Sequence, residues 1–229
     1  MECSAVDPIR LQTSVLSAAE KRLLIRMANR LPTAVGSDHL TLLALAAMLL
    51  AGMSYWFASR HPAGLVLATA CLAVNWFGDS LDGTVARVRH AQRPRYGFYV
   101  DHVVDAIGTV ALLGGLGLSG YMSPTVALVL LLAWMLVTVE TYLATAVVGT
   151  FRMAFLKIGP TELRILLAAG NTWLLFDSTI VLAGRTLLLF DVAGVVAAIG
   201  LAATFLVSAA RNTRALYLAE PLPAKRVEG

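Results

Sequence analysis

Six apolar runs, each near the length needed to cross a lipid bilayer, leave this 229-residue chain little choice of fold. The predicted spans are Leu40–Ala58, Ala63–Gly78, Tyr99–Leu118, Thr125–Val148, Leu163–Ala183 and Leu187–Ala209. In hydrocarbon every backbone N–H and C=O must be satisfied within the segment, so such runs fold as helices. Hydrophobic residues make up 58% of the chain and charged residues 14%, a balance that soluble domains of this length rarely show. The breaks at His61-Pro62, Arg89–Arg95, Ser119–Pro124, Gly149–Pro160 and Gly184-Arg185 are short. Short connections predict an all-α antiparallel bundle, a polytopic membrane protein with six transmembrane helices. No strand pattern is visible.

The basic residues orient the bundle. With the segment before the first span in the cytosol, 16 of the 18 Lys and Arg fall on cytosolic segments, leaving Arg60 and Arg185 outside. Both ends of the chain are then cytosolic. No cleavable signal peptide is expected, because the first 36 residues hold Asp7, Glu20 and scattered bases without an apolar core. Within them, Ser17–Leu31 predicts an amphipathic helix lying in the headgroup layer. Arg22, Arg26 and Arg30 repeat every four residues, while Leu24, Met27 and Leu31 gather on another side. Three regions follow: residues 1–39 as a cytosolic segment with this helix, 40–218 as the membrane domain, and 219–229 as a disordered tail. Cys3 and Cys71 lack metal-ligand spacing and are expected to be free thiols. The arginines flank spans without interleaved aromatics, so no nucleic acid partner is expected.

Four aspartates interrupt this apolar background at fixed intervals. The stretch reads Asp79-Ser-Leu-Asp82-Gly83-Thr-Val-Ala86-Arg87, nine residues, then Gly97-Phe-Tyr-Val-Asp101-His-Val-Val-Asp105. Residues three or four apart share a helix face, so two adjacent helices would each point two carboxylates into one space. A carboxylate near the middle of a spanning helix costs about 2.5–3.5 kcal/mol on insertion scales. Four together need positive charge among them. All-oxygen ligands favour hard divalent ions such as Mg2+ or Mn2+, and a pair of these is a clamp suited to displacement at phosphorus. An ion-pair network with Arg87, Arg89 and Arg95 would neutralise the charge too, but would not call for glycines and an alanine at set positions.

This spacing resembles the signature of the CDP-alcohol phosphotransferase superfamily, D-x2-D-G-x2-A-R, a gap, then G-x3-D-x3-D. All eight fixed positions are present, and the gap of nine residues is one longer than usual, in a loop that absorbs it. The resemblance implies that Asp79, Asp82, Asp101 and Asp105 bind two metal ions and that Asp105 takes the proton of the attacking hydroxyl. It also implies that Asp82, Gly83, Ala86 and Gly97 line a cytidine site, with Arg87 at the pyrophosphate. The reaction would transfer a substituted phosphate from a CDP-linked alcohol to an alcohol or lipid acceptor and release CMP. A homodimer embedded in membrane lipid is implied as well. Asp101-His102-x-x-Asp105, Glu140-Thr-Tyr142 and Gly159-Pro160-Thr161-Glu162 are similar to elements of the choline and ethanolamine phosphotransferase branch. CDP-diacylglycerol and CDP-aminoalcohol donors both stay open.

Further residues are candidates around this core. Asn75, four before Asp79, and Thr41, at the entry to the first span, are expected near the nucleotide; Asp38 is expected to cap a helix. Glu140, the only ionisable residue inside the fourth span, with Arg152, Glu162 and Arg164, is a candidate for the acceptor site. Lys157 is expected to anchor its loop. His102 is expected to pack beside the site, and Asp177 to pair with Arg185. The competing reading is a divalent-cation transporter, which would want polar groups continuing across the membrane. The far halves of the second and third spans are instead apolar (Leu65–Leu72, Val110–Gly117).

Overall fold

The computed structural model describes residues 9–11, 17–148, 150–152 and 159–220. These form β1 (Ile9–Leu11), α1 (Ser17–Arg30), α2 (Ser37–Ala58), α3 (Ala63–Val88), α4 (Pro94–Gly117) and α5 (Pro124–Val148). They continue with β2 (Thr150–Arg152), α6 (Pro160–Leu174), β3 (Thr179–Leu182), β4 (Arg185–Leu188) and α7 (Leu189–Ala219). Among the described residues, five helices are long and apolar enough to cross a membrane: α2, α3, α4, α5 and α7. The chain is a polytopic membrane protein. Residues 221–229, Cys3, Lys157 and the side chain of Arg152 lie outside the described residues.

The predicted fifth span is corrected. Its helix, α6, stops at Leu174 after 15 residues, about 22 Å of rise. Residues Thr179–Leu188 then form an antiparallel hairpin, with Thr179 paired to Leu188 and Leu182 to Arg185. Two local causes end the helix. The Asp177 carboxylate accepts hydrogen bonds from the Thr179 N–H and hydroxyl, at 2.8 and 2.9 Å, which bends the chain into the first strand. Ala183 and Gly184, with φ of 50° and 76°, make the two-residue turn that a hairpin needs. Asp177 is thus engaged by Thr179 rather than by Arg185. Strands also occur outside this hairpin, where β1 pairs in parallel with β2, against the expectation of none.

The two helices that carry the aspartates are longer than predicted at the motif end. α3 runs on to Val88 and α4 begins at Pro94, whose fixed φ suits a first helical position. Both halves of the motif are therefore helical, joined by a short loop. Glycines bring α2, α3 and α4 into backbone contact. A Cβ on Gly115 of α4 would fall on the backbone of Gly52 in α2, and one on Gly78 of α3 would lie 2.6 Å from the Leu40 carbonyl oxygen. The main core, including Ala51, Tyr55, Leu65, Ala68, Leu72, Leu112 and Leu116, fills the half of the bundle away from the aspartates.

α1 covers the aspartate end. Its predicted apolar stripe packs on the bundle: Leu24, with Ala28, is buried against Leu40, Leu81 and Val85, and Met27 and Leu31 pack beside them. The three residues expected to enter the headgroup layer are therefore used within the protein, because α3 extends far enough to offer them Leu81 and Val85.

Candidate active site

Asp79 on α3 and Asp101 and Asp105 on α4 each offer a carboxylate oxygen, and these oxygens lie within 4.8 Å of one another. The four-residue spacing on α4 stacks Asp101 and Asp105 on one face, and packing against α3 brings Asp79 opposite. Three hard oxygen donors at this separation, on two rigid helices, fit a divalent ion such as Mg2+ or Mn2+. Asp82, one turn beyond Asp79, is held by α2: its Oδ2 accepts from the Thr41 hydroxyl at 2.7 Å, and its Oδ1 accepts from the Gly83 N–H. Thr41, expected near the nucleotide, thus lies beside the motif through its bond to Asp82.

Positive charge arrives from α6. The Arg164 Nη2 donates to Asp79 Oδ2 at 2.6 Å, and its Nε donates to Asn75 Oδ1 at 2.8 Å. Asn75 is buried and donates in turn to the Ala44 carbonyl at 3.1 Å, so α2, α3 and α6 are tied together beneath the carboxylates. Arg87, at the end of α3, donates from Nη2 to the Thr84 hydroxyl at 3.0 Å. A Cβ on Gly83 would stand 3.3 Å from the Arg87 Nη1, so the glycine leaves that guanidinium its place. A Cβ on Gly97 would meet nothing within 4 Å. Packing among the described residues therefore does not demand glycine at 97.

Two cavities flank this end of the molecule. The larger, about 670 Å³, lies between the α1–α2 connection and the α3–α4 loop, lined by Ser37, Asp38, Ala86, Arg89, Gln92 and Arg93 among others. Arg89 braces its wall by donating to the carbonyl oxygens of Leu31, Pro32, Thr33 and Val35. Asp38 accepts from Arg93 at 2.5 Å and does not cap; α2 is capped by His39, whose Nδ1 accepts from the Gly36 N–H at 3.1 Å. The smaller cavity, about 200 Å³, runs down the α2–α4 face from Asp38 and Thr41 past Leu45 and Val100.

The other candidates separate. Glu140 points to α7, where its carboxylate accepts from Ser208 at 2.9 Å and Asn212 at 2.7 Å. Glu162 closes a capping box at the start of α6 by accepting from the Gly159 N–H at 3.0 Å. Arg164, among the acceptor candidates, bonds directly to the aspartate cluster through Asp79. His102 is buried beside Asp101, 3.7 Å from its Oδ2, with Nδ1 2.7 Å from the Phe98 carbonyl and its ring against Phe98 and Tyr142. It packs next to the site, as expected. Sequence reasoning missed Trp76 and Thr161, which share a partner beneath the site. The available signal was an indole N–H within an apolar span, which must find an acceptor at that depth.

No curated protein matches this chain. The CDP-alcohol phosphatidyltransferase family matches residues 37–206, a stretch that contains α2 to α6, most of α7 and every motif residue. With its motif helices assembled around one carboxylate cluster, this chain belongs to the CDP-alcohol phosphatidyltransferase family.

Proposed function

We propose that the chain transfers a substituted phosphate from a CDP-linked alcohol to an acceptor hydroxyl at the cytosolic face of the membrane, releasing CMP in phospholipid synthesis. The observation that carries this reading is the convergence of Asp79, Asp101 and Asp105 with Asp82 alongside, within reach of Arg164. Asp79, Asp82 and Asp101 would hold one Mg2+ or Mn2+ ion, and Asp79, Asp101 and Asp105 a second. When bound, such ions neutralise a pyrophosphate and stabilise charge on both the attacking and the leaving oxygen.

The protein's own groups perform the rest. Asp105 accepts the proton of the acceptor hydroxyl as its oxygen bonds to phosphorus and the bond to CMP breaks. Arg87 holds the departing phosphate by charge-assisted hydrogen bonds. Gly83, Ala86 and Gly97 leave room for the cytidine, and the cavity that Ala86 lines is large enough for a nucleoside. Thr41 and Asn75, the other nucleotide-side candidates, keep Asp82 and Arg164 in place. Arg164 serves the acceptor side, with Arg152 as a second basic candidate; Glu140 and Glu162 act through helix packing.

In this reading α6 is a short sixth crossing. It starts at the aspartates and ends beside Tyr55 and Phe190, at the opposite end of the bundle. Both ends of the chain and the site are then cytosolic, and α1 lies at the level of the inner headgroups. A homodimer completes the proposal. The transporter alternative is disfavoured by Leu72, Leu112 and Leu116, which are buried in the core behind the carboxylates and offer an ion no ligand.

The test is manganese-dependent CMP release in lipid, wild type against Asp101→Asn. CDP-choline and CDP-ethanolamine are paired with diacylglycerol, and CDP-diacylglycerol with polar alcohols. Release that needs both metal and Asp101 supports the assignment, and the productive pair names the branch. Cation flux in proteoliposomes without release from any pair would overturn it.

A further inference from the structure

Glu20, on α1, reaches beneath the site from outside the bundle. Its Oε1 accepts from the Trp76 indole N–H at 2.8 Å and from the Thr161 hydroxyl at 2.7 Å. Trp76 stands three residues before Asp79 on α3, and Thr161 three residues before Arg164 on α6. Each partner therefore shares a helix face with one member of the Arg164–Asp79 pair. One carboxylate oxygen spans the same two helices that the ion pair spans, next to it.

Among the described residues, the first turns of α6 meet α3 chiefly through these polar contacts and the Arg164–Asn75 bond. Leu163, Ile165 and Leu166 are exposed, and its meeting with α7 lies further along, where Gly170 abuts Phe190. The far end is fixed separately. Buried Asn171 accepts from the Tyr55 hydroxyl at 2.9 Å and donates to the Thr69 hydroxyl at 3.0 Å. Between helices in lipid there is no hydrophobic force to press one on another, so packing and hydrogen bonds decide where α6 rests. Loss of the near bonds with the far ones intact would let α6 pivot about Asn171.

We propose that Glu20 is a positioning residue: by accepting from Trp76 and Thr161 it pins the first turn of α6 to α3 and keeps Arg164 on Asp79. The N-terminal helix thereby sets the geometry of a site to which it contributes no ligand. Only the activity arm of the test rests on the phosphotransferase reading.

The experiment uses the full chain in nanodiscs and compares wild type with Glu20→Ala, Glu20→Gln and Thr161→Val. Hydrogen exchange is the first readout. In Glu20→Ala and in Thr161→Val, amides 163–167 should exchange about tenfold faster while amides 170–174 keep their protection. Glu20→Gln should behave as wild type, since its amide oxygen can accept both bonds. Thr161→Val keeps the side-chain volume and guards against a Glu20→Ala protein that folds poorly. The second readout is CMP release, expected to fall about tenfold in Glu20→Ala and to fall no further when Arg164→Gln is already present. Unchanged exchange at 163–167 in both variants overturns the proposal. So does an equal rate loss from Glu20→Ala with and without Arg164→Gln. Exchange decides the matter whichever substrate pair yields CMP, so failure of the reaction assignment shows up separately.

Discussion

The trio α2–α3–α4 and the trio α5–α6–α7 are built on different physics. In the first, backbones touch: Gly115 against Gly52, and Gly78 against the Leu40 carbonyl, with no room for a methyl group. In the second, side-chain hydrogen bonds carry more of the load: Glu140 on α5 bonds Ser208 and Asn212 on α7, while Asn171 on α6 reaches back to Tyr55 on α2 and Thr69 on α3. The carboxylates that must keep a fixed separation sit on the close-packed trio. Arg164, proposed above to serve the acceptor, sits on α6 in the other trio. Close packing transmits any volume change directly, whereas a polar clamp can be loosened a little at a time.

The sharpest way to break this contrast is at the carboxylates. Asp79→Asn should lower metal-dependent CMP release by about a thousandfold or more and abolish Mn2+ binding measured by spin resonance. Next in size is the backbone contact. Gly115→Leu should cost about 3 kcal/mol or prevent folding, read as a lower thermal midpoint in detergent. Its neighbour Gly114, where an added Cβ meets nothing within 4 Å, should accept leucine without that loss. On the second trio, Glu140→Ala should cost about 1 kcal/mol of stability and leave Mn2+ affinity unchanged.

The smallest effect belongs to the hairpin. Exposed Asp177 is held below the usual carboxylate range by the Thr179 N–H and hydroxyl. A depressed carboxyl stabilises the fold above its unfolded value, about pH 4, and loses that contribution as pH falls through the folded value. Acid should therefore lower the protection factor of the Thr179 amide, taken relative to its intrinsic exchange rate at each pH, while Asp177→Ala should show that low protection already at neutral pH.

What was legible in the sequence divides along the same line. Asp79, Asp101 and Asp105 could be placed on facing helices because intervals of three and four residues have one meaning on a helix. Thr41 is expected near the nucleotide from its place at the entry to the first span, but its bond to Asp82 was not legible. The end of α6 was hidden: Thr179, Ile180, Val181 and Leu182 read like part of a helical span, and the Asp177–Thr179 bonds and the turn at Ala183-Gly184 separate the two outcomes. Arg164 could be nominated by depth and charge, but its partners Asp79 and Asn75 depend on how α6 rotates. Glu140 looked functional because an acid inside a span usually is; its partners lie some 70 residues away in sequence. Spacing within one helix is local information, and the pairing of distant helices is not.

The brevity of α6 reaches beyond the protein. A 15-residue helix rises about 22 Å, against a hydrocarbon core of about 30 Å. If α6 crosses the membrane as proposed, lipids beside it must thin to meet it or draw the hairpin, with its exposed Val181 and Leu182, down among their chains. Thinning would bring headgroups closer to Arg164 and the carboxylates, whereas a sunken hairpin would take up the mismatch in the opposite leaflet. On the proposed reading, acyl-chain length of the surrounding membrane would then bear on turnover, with short-chain bilayers fitting a short α6 and long-chain ones resisting it.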